Sequence, residues 1–186
     1  LRHSSAASDV YKRQIDKCNF VSTVLFLGYD STKTKIIEHI KKLGVNVIHE
    51  DKKEIEETKF QESDLVISFG YRYLLSESIV EKYSPMINLH ISYLPYNRGS
   101  LANFWSFYDQ TPSGVSIHLI DNGIDTGDIL YQKKVQFDQK KMTFRQTHNI
   151  LLEEIEKLFL DNLEEILSLN YPLRKQEHKG TYHHSK

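Results

Sequence analysis

The sequence predicts an α/β fold with a doubly wound, mostly parallel sheet and helices on both of its faces. Three observations support this prediction. Short apolar runs rich in β-formers alternate with amphipathic segments along the chain. Several of these runs end at a glycine or at a residue that can cap a helix, as a buried strand does before a helix. Alternation of strands and helices favours a parallel sheet covered on both faces.

The first half of the predicted sheet comes from two apolar runs. Residues 22–27 are expected to form a buried strand, followed by a helix over 32–43 that stops at Gly44, a favoured helix terminator. A second strand is expected over 45–48. The strongly charged stretch 51–62 is expected to be a solvated, partly helical crossing.

The middle of the chain carries two more buried strands. They are predicted over 65–69 and 86–89, with a short helix over 76–83 between them. A loop over 90–99 contains a proline and a glycine. A helix with a heavily aromatic face is predicted over 101–108.

The last third begins with two segments that alternate apolar and polar residues, 114–120 and 129–137, as half-buried strands do. Residues 121–128 connect them through glycine-marked turns. Thr143 can cap a long helix with a continuous apolar stripe. From residue 171 the chain is polar and basic.

The length of 186 residues suits one domain. We expect residues 1–14 to be a non-native or disordered tail, 15–170 to form the domain, and 171–186 to be a polar C-terminal tail. Apolar residues make up 39% and charged residues 26% of the chain, a globular composition.

Composition also disfavours several classes of partner. The formal net charge is −1 and the basic residues are spread along the chain, so the charge does not indicate binding to nucleic acid or to an anionic membrane. A single cysteine, Cys18, excludes an internal disulfide and a cysteine-based zinc cage. No apolar run approaches a membrane span, and no secretion signal is evident. We therefore expect a cytoplasmic protein.

Asn88 and His90 end a predicted buried strand. Side chains alternate along a strand, so the two point to the same face. An amide and an imidazole placed side by side can donate hydrogen bonds to one oxygen, which suits a carbonyl that gains negative charge. Taken alone, the two residues also fit another interpretation, in which Asn88 closes a turn and His90 is an ordinary surface histidine.

Two longer motifs contain these residues. The first, N-L-H-I-S-Y-L-P-Y-N-R-G, begins at Asn88; the second, G-V-S-I-H-L-I-D-N-G-I-D-T-G-D-I-L, begins at Gly114. Together they resemble the folate-dependent formyltransferase family, over roughly residues 22–167. The strand-end N-x-H, the following L-P and G, and the later His and D-x-G of that family are matched, in this chain, by Asn88, His90, Leu94, Pro95, Gly99, His118, Asp125 and Gly127.

This resemblance implies a Rossmann-like formyltransferase fold and a catalytic trio of Asn88, His90 and Asp125. An amine would attack the formyl carbon of N10-formyltetrahydrofolate, the co-substrate, while Asn88 and protonated His90 stabilise the oxyanion. Asp125 would raise the pKa of His90 and assist proton removal from the amine. The family works without metal, so none is expected.

Several nearby residues have more than one interpretation. Asp121 and Asp128 flank Asp125, but their spacing does not match a calcium-binding EF-hand loop. Asp128 is expected to be a turn residue. His118 is either a buried structural histidine or part of the pocket wall. His183 and His184, in the tail, are expected to be solvated.

The resemblance also implies where the folate would bind, by contacts made largely with backbone. The implied residues lie after the third strand and before the catalytic aspartate: Tyr71, Arg72, Tyr73, Leu74, Leu75, Asp121, Asn122, Gly123 and Ile124. The alternative is that both segments are plain turns.

Three features bear on the acceptor amine. Only a short tail follows residue 167, so we expect the C-terminal domain of methionyl-tRNA formyltransferases to be absent. The segment between the first strand and residue 65 is too brief for the phosphate-binding region and extra unit of the purine enzyme. The segment Y-N-R-G-S-L-A-N-F-W resembles the loop of enzymes that formylate amino sugars on nucleotide carriers. Arg98 could bind a phosphate, and Tyr96 and Trp105 could stack on a base or sugar. The alternatives are a solvated surface Arg98 and an aromatic stripe that is plain helix core.

A nucleotide-linked amino sugar is therefore the preferred acceptor. A purine-pathway or other small amine is the alternative enzyme function. A folate-binding, non-catalytic paralogue or a fragment is the alternative of another class. The sequence does not determine the oligomeric state, and a homodimer is one possibility.

Overall fold

A six-stranded sheet organises the chain in the computed structural model, which describes residues 20–83, 85–138 and 141–184. Its strands lie in the order β2-β1-β3-β4-β6-β7, with β1 to β4 parallel and β6 and β7 antiparallel. The strands are β1 (Thr23–Gly28), β2 (Asn46–Glu50), β3 (Leu65–Phe69), β4 (Met86–His90), β6 (Gly114–Leu119) and β7 (Ile129–Lys134). The predicted α/β fold, with a mostly parallel sheet, is confirmed.

Within the described residues, six helices connect or cover these strands, and a small second sheet pairs β5 with β8 in parallel. The helices are α1 (Ile36–Lys42), α2 (Glu57–Gln61), α3 (Glu77–Lys82), α4 (Ala102–Tyr108), α5 (Phe144–Asp161) and α6 (Leu163–Leu167). The short strands are β5 (Arg98–Gly99) and β8 (Tyr182–His183).

Both faces of the sheet are buried, which explains the continuous apolar runs of its central strands. Along β1, Val24 and Phe26 pack in a cluster with residues of α1, α5 and α6, whereas Leu25 and Leu27 pack in a second cluster beneath α2. The period-two alternation of a strand produces this division. The helices therefore lie on both faces, as predicted.

Some element bounds differ from those predicted. The helix expected over 32–43 begins only at Ile36, because Asp30 holds a turn: its carboxylate accepts from the backbone and hydroxyl of Thr32, and its carbonyl accepts from the backbone of Thr34. The strand expected over 129–137 ends at Lys134.

The segment after α6 is built into the fold. Arg174 forms an antiparallel bridge with Ile129, and β8 pairs with β5 inside the region predicted to be loop. Gly180, with a φ of 65°, lies against Pro95, where a Cβ would come within 1.9 Å of the Pro95 carbonyl oxygen.

The prediction that His183 is solvated was wrong. Its ring stacks on Trp105 at 3.9 Å between ring centroids, and its Nε2 lies 2.7 Å from Asp109. His184 is exposed, as expected. The predicted tail 1–14 and Cys18 lie outside the described residues. Among those described, no helix combines the length and apolar character needed to cross a bilayer.

Candidate active site

The candidate site lies where the sheet changes from parallel to antiparallel pairing. β4 pairs in parallel with β3 on one side and antiparallel with β6 on the other. Asn88 and His90, at the carboxyl end of β4, share one face of the strand. In the antiparallel register Asn88 lies opposite His118, so the two side chains are direct cross-strand neighbours.

Asp125 reaches this pair from the loop between β6 and β7. Its Oδ1 lies 3.3 Å from Asn88 Nδ2 and its Oδ2 lies 3.5 Å from His90 Nε2. The backbone amide of Gly99 donates to Oδ2 at 2.8 Å. The structure therefore brings together the three residues of the predicted trio, although they come from segments far apart in the chain.

The loop that presents Asp125 is tightly folded. Asp125 itself has a φ of 52°, in the left-handed region that few non-glycine residues adopt. At Gly127 a Cβ would come within 1.9 Å of the Leu119 carbonyl oxygen, so only glycine fits there. Asp121 closes the loop by accepting from the Gly123 amide and the Thr126 hydroxyl.

His118 fits the first of the two interpretations, a buried structural histidine, and it does not line the cavity described below. The side chain is buried, and Nδ1 donates to the Leu119 carbonyl at 2.7 Å, which makes it structural. Its Nε2 lies 3.3 Å from Asn88 Nδ2 and 3.4 Å from Asp125 Oδ1. With Nδ1 used as the donor to Leu119, Nε2 is placed to accept from Asn88 Nδ2.

Burial and charge act in opposite directions on the two ionisable members of the trio. Burial raises the pKa of Asp125. A larger lowering effect comes from His90, His118 and the Gly99 amide together, so the net pKa lies below the ordinary 3.8. The carboxylate is therefore ionised at neutral pH.

Two opposing effects act on the pKa of His90. Burial lowers it below the ordinary 6.5, and the raising effect of Asp125 does not compensate. Asp125 therefore acts on the pKa in the expected direction, but burial is the larger effect, so the expected protonated His90 was wrong and the ring is neutral at pH 7. The two ring nitrogens of a neutral imidazole are one donor and one acceptor.

A cavity of about 560 Å³ opens beside Asn88 and His90. Aromatic side chains form much of its wall, with two basic side chains, Arg145 and His148, from the start of α5. Other lining residues include Tyr29, Phe69, Tyr71, Leu101, Asn103, Phe104 and Phe144. The sequence analysis did not single out Arg145 and His148, although a basic pair three residues apart shares one helix face.

The implied folate residues occupy two surface segments near the site. Of the stretch Tyr71, Arg72, Tyr73, Leu74 and Leu75, only Tyr71 lines the cavity; Leu74 is 80% exposed. The turn of Asp121, Asn122, Gly123 and Ile124 lies outside the cavity, with its first three residues exposed. Their role in folate binding stays a prediction.

The residues assigned to the acceptor do not line the cavity. The Arg98 guanidinium donates to Gln176 and to the Lys179 carbonyl, and Trp105 is stacked on His183. Tyr96 is half-buried in the loop before β5. Contact of Tyr96, Arg98 and Trp105 with an acceptor remains a prediction. Among the described residues no cluster of His, Cys, Asp and Glu has an arrangement that could hold a metal ion.

Nucleophilic attack on a carbonyl carbon requires donors for the oxygen that gains charge and an acceptor for the proton that the nucleophile loses. The end of β4 and the Asp125 loop present groups of both kinds on an α/β domain, an arrangement typical of domains that transfer a carbonyl group. Residues 30–163 match the formyl transferase family. The chain belongs to that family.

Three relatives illustrate the similarity. The chain is 31% identical to a methionyl-tRNA formyltransferase of Clostridium perfringens over 159 residues, which cover 83% of this chain and 51% of that protein. The chain thus spans about half the length of the curated relatives it matches.

Two solved structures share the fold. The formyltransferase PseJ from Anoxybacillus kamchatkensis, in complex with UDP-4,6-dideoxy-4-formamido-L-AltNAc and tetrahydrofolate, is 35% identical with a TM-score of 0.82, over 87% of this chain and 85% of that one. A 4-N formyltransferase from Francisella tularensis is 22% identical with a TM-score of 0.79, over 88% of this chain and 76% of that one.

Proposed function

We propose that the protein transfers a formyl group from N10-formyltetrahydrofolate to the amine of a nucleotide-linked amino sugar. The observation that carries this proposal is the meeting of Asp125 with Asn88 and His90 at the end of β4. Position in the chain alone would not have placed Asp125 within 3.5 Å of both Asn88 and His90.

The formyl donor is supported by family membership and by the tetrahydrofolate bound to PseJ. When bound, the folate supplies the formyl carbon that the amine attacks. The exposed apolar side chains of Tyr73 and Leu74, beside the carboxyl end of β3, would hold its apolar parts. Exposed apolar groups of this kind gain free energy when a ligand covers them.

Asn88 is the donor for the oxygen that gains charge. Its Nδ2 contacts Asp125 and His118 at 3.3 Å each, both longer than the usual amide hydrogen bond. Exchanging the long contact with His118 for one with a charged oxygen is favourable, because charge-assisted bonds are roughly twice as strong as neutral ones. A donor of this type is worth about 3–4 kcal/mol.

His90 and Asp125 move the proton. The ionised carboxylate lies by His90 Nε2 and favours the tautomer with its proton there. The other ring nitrogen then accepts the proton that the attacking amine loses and returns it to N10 as the carbon–nitrogen bond breaks. One proton leaves the amine and one joins N10, so the transfer is balanced.

The acceptor side is assigned to the 560 Å³ cavity. Phe104 and Phe144 offer aromatic surfaces and Arg145 a cation, which suits a base or sugar joined to phosphate. The UDP-sugar product in PseJ, a relative with 35% identity over 85% of its chain, supports this acceptor. The curated methionyl-tRNA relatives support a tRNA-linked amine as the second candidate.

The test is an acceptor screen with the purified protein and N10-formyltetrahydrofolate, measuring release of tetrahydrofolate. A UDP- or dTDP-linked 4-amino sugar should be formylated. Methionyl-tRNA and glycinamide ribonucleotide should give no product. Turnover with methionyl-tRNA alone, or with the purine substrate alone, would show that the sugar assignment is wrong. Folate binding without turnover on any amine would support a non-catalytic folate-binding protein.

Asp125→Asn tests the proton-transfer role within the same screen. Asparagine tolerates the left-handed backbone at this position, so the loop is retained. Loss of the carboxylate should lower kcat about 10²- to 10⁴-fold, the usual contribution of general acid–base catalysis. Asp128→Asn, a charge-matched change in the same loop, should leave kcat within about threefold of the unaltered protein. Equal losses in the two variants would contradict the assignment.

A further inference from the structure

Gln176 connects the C-terminal segment to the loop that carries Asp125. Its Nε2 donates to the Asp125 carbonyl at 2.9 Å and to the Gly127 carbonyl at 2.8 Å. Its Oε1 accepts from Arg98 Nε at 3.1 Å and from Arg98 Nη2 at 2.7 Å. Both protons and the oxygen of the amide are therefore in use.

The Asp125 loop needs an external support of this kind. Asp125 holds a left-handed conformation that is unfavourable for a non-glycine residue and persists only where its surroundings impose it. The bonds from Gln176 hold the backbone on both sides of Thr126, at Asp125 and at Gly127. Fixing the Asp125 backbone also fixes the direction of its carboxylate toward Asn88 and His90.

The contacts close a ring around the carboxylate. Arg98 orients the Gln176 amide, and the next residue, Gly99, donates its backbone N–H to Asp125 Oδ2. The two-residue strand β5 thus holds Asp125 in two ways, directly through Gly99 and indirectly through Arg98 and Gln176. The pairing of β5 with β8 keeps the C-terminal segment in place beside it.

The chemistry of this position requires an amide. A glutamate could accept from Arg98 but could not donate to two carbonyl oxygens, and a lysine could donate but not accept. A methionine has similar length but neither group. Only an amide satisfies the guanidinium and both carbonyls at once.

We propose that Gln176 is a positioning residue for Asp125, and that Arg98 acts through Gln176 to the same end. The proposal rests on the formyl-transfer function stated above. Misplacing a catalytic group by about 1 Å can cost up to a hundredfold in rate while substrate binding is retained. Loss of Gln176 should therefore lower kcat and leave the affinity for both substrates nearly unchanged.

The test compares Gln176→Met and Gln176→Glu with Glu177→Gln, a control on the neighbouring exposed residue of the same segment. The first two variants should lower kcat about tenfold to a hundredfold, with KM for donor and acceptor within about threefold. Gln176→Glu should be no better than Gln176→Met, because it keeps the acceptor for Arg98 and loses the donor to the loop. Glu177→Gln should match the unaltered protein.

Backbone hydrogen exchange of the full chain gives a measurement that does not depend on turnover. Amides of residues 121–128 should exchange faster in Gln176→Met, while those of the central strands keep their rates. A kcat within twofold of the unaltered protein would overturn the proposal. So would faster exchange throughout the chain with parallel losses of kcat and donor affinity, since that pattern indicates general destabilisation.

If the unaltered protein shows no turnover with any amine, the formyl-transfer function fails by itself. Hydrogen exchange then still decides whether Gln176 holds the loop. Faster amide exchange in Gln176→Met, confined to residues 121–128, would show that Gln176 holds the loop, and unchanged exchange there would overturn this.

Discussion

His90 shows at the scale of one residue how burial can outweigh a neighbouring charge. Asp125 Oδ2 lies 3.5 Å from its Nε2 and favours the charged ring, yet the side chain is only 12% exposed and desolvation disfavours it more. The result is a neutral imidazole next to a carboxylate. This arrangement suits proton exchange better than a permanent cation would, because one ring nitrogen stays free to accept.

The lowered pKa of His90 predicts a pH dependence of stability. Unfolded His90 takes up a proton near pH 6.5, whereas folded His90 does so only at lower pH. Between these two pKa values the unfolded state binds more protons, so the free energy of unfolding should decrease as pH falls from about 6.5 through the folded pKa. Above the unfolded pKa this contribution should be constant. Urea denaturation at a series of pH values measures it.

His90→Gln isolates the contribution of this one group. The variant should lose less stability than the unaltered protein across that pH interval. His178→Gln, at an exposed position, should follow the unaltered protein. If both variants show the same pH dependence as the unaltered protein, His90 does not change its proton affinity on folding.

The residues of β4 were within reach of sequence reasoning and those of the C-terminal segment were not. Alternation along a strand is a local rule, so it places Asn88 and His90 on one face without knowledge of the fold. The stack of His183 on Trp105 joins residues 78 positions apart. It depends on a two-stranded sheet that no periodic pattern in the sequence predicts. Arg98 is bound to Gln176 for the same reason.

At the scale of elements, α5 is the helix whose start and buried face follow most directly from its own sequence. Thr143 and Gln146 form a capping box: the Thr143 side chain accepts from the Gln146 backbone, and the Gln146 side chain accepts from the Thr143 backbone. Leu151, Ile155 and Phe159 then repeat every four residues and bury one face. Its first turns place Arg145 and His148 at the cavity.

Thr143→Ala tests the value of that cap. Removing the hydroxyl leaves the amide of Gln146 without its acceptor, which should lower the free energy of unfolding by about 1 kcal/mol. Thr143→Ser keeps the hydroxyl and should cost less than half as much. Urea denaturation followed by circular dichroism gives both values. Equal losses in the two variants would show that the cap contributes little.

The elements that sequence reasoning placed least well are short. The helix starting at Ile36 was placed four residues early because Asp30 and Thr32 compete for the backbone through a side-chain turn. The strands β5 and β8 have two residues each, too few for any alternation to appear. Their pairing depends on tertiary contacts, whereas β3 follows from its own five buried residues.

For the whole molecule, the sheet carries two cores of unequal size. The larger core joins the sheet to α1, α5 and α6, and the smaller one lies beneath α2 and α3. The trio lies at the strand where parallel pairing ends, outside the carboxyl ends of the strands, where α/β sheets commonly bind ligands. Packing of α5 on the larger core therefore supports one wall of the cavity.

Phe159 is the residue through which this global packing can be tested. Its side chain is 0% exposed and lies in the larger core, so Phe159→Ala removes a whole ring from a close-packed interior. The cost should be about 3–5 kcal/mol, a large part of the roughly 5–15 kcal/mol that stabilises a typical domain.

Phe144 provides the matched control, because it belongs to the same helix and is 50% exposed. Phe144→Ala loses only partial ring contacts with Phe104 and Phe107 and should cost about 1 kcal/mol. Urea denaturation gives both free energies. Similar losses in the two variants would contradict a core in which α5 is held mainly by its buried face. The Phe144 ring lines the cavity beside Asn88 and His90. A loss of acceptor affinity confined to Phe144→Ala would therefore indicate that the ring contacts the acceptor and contributes little to the core.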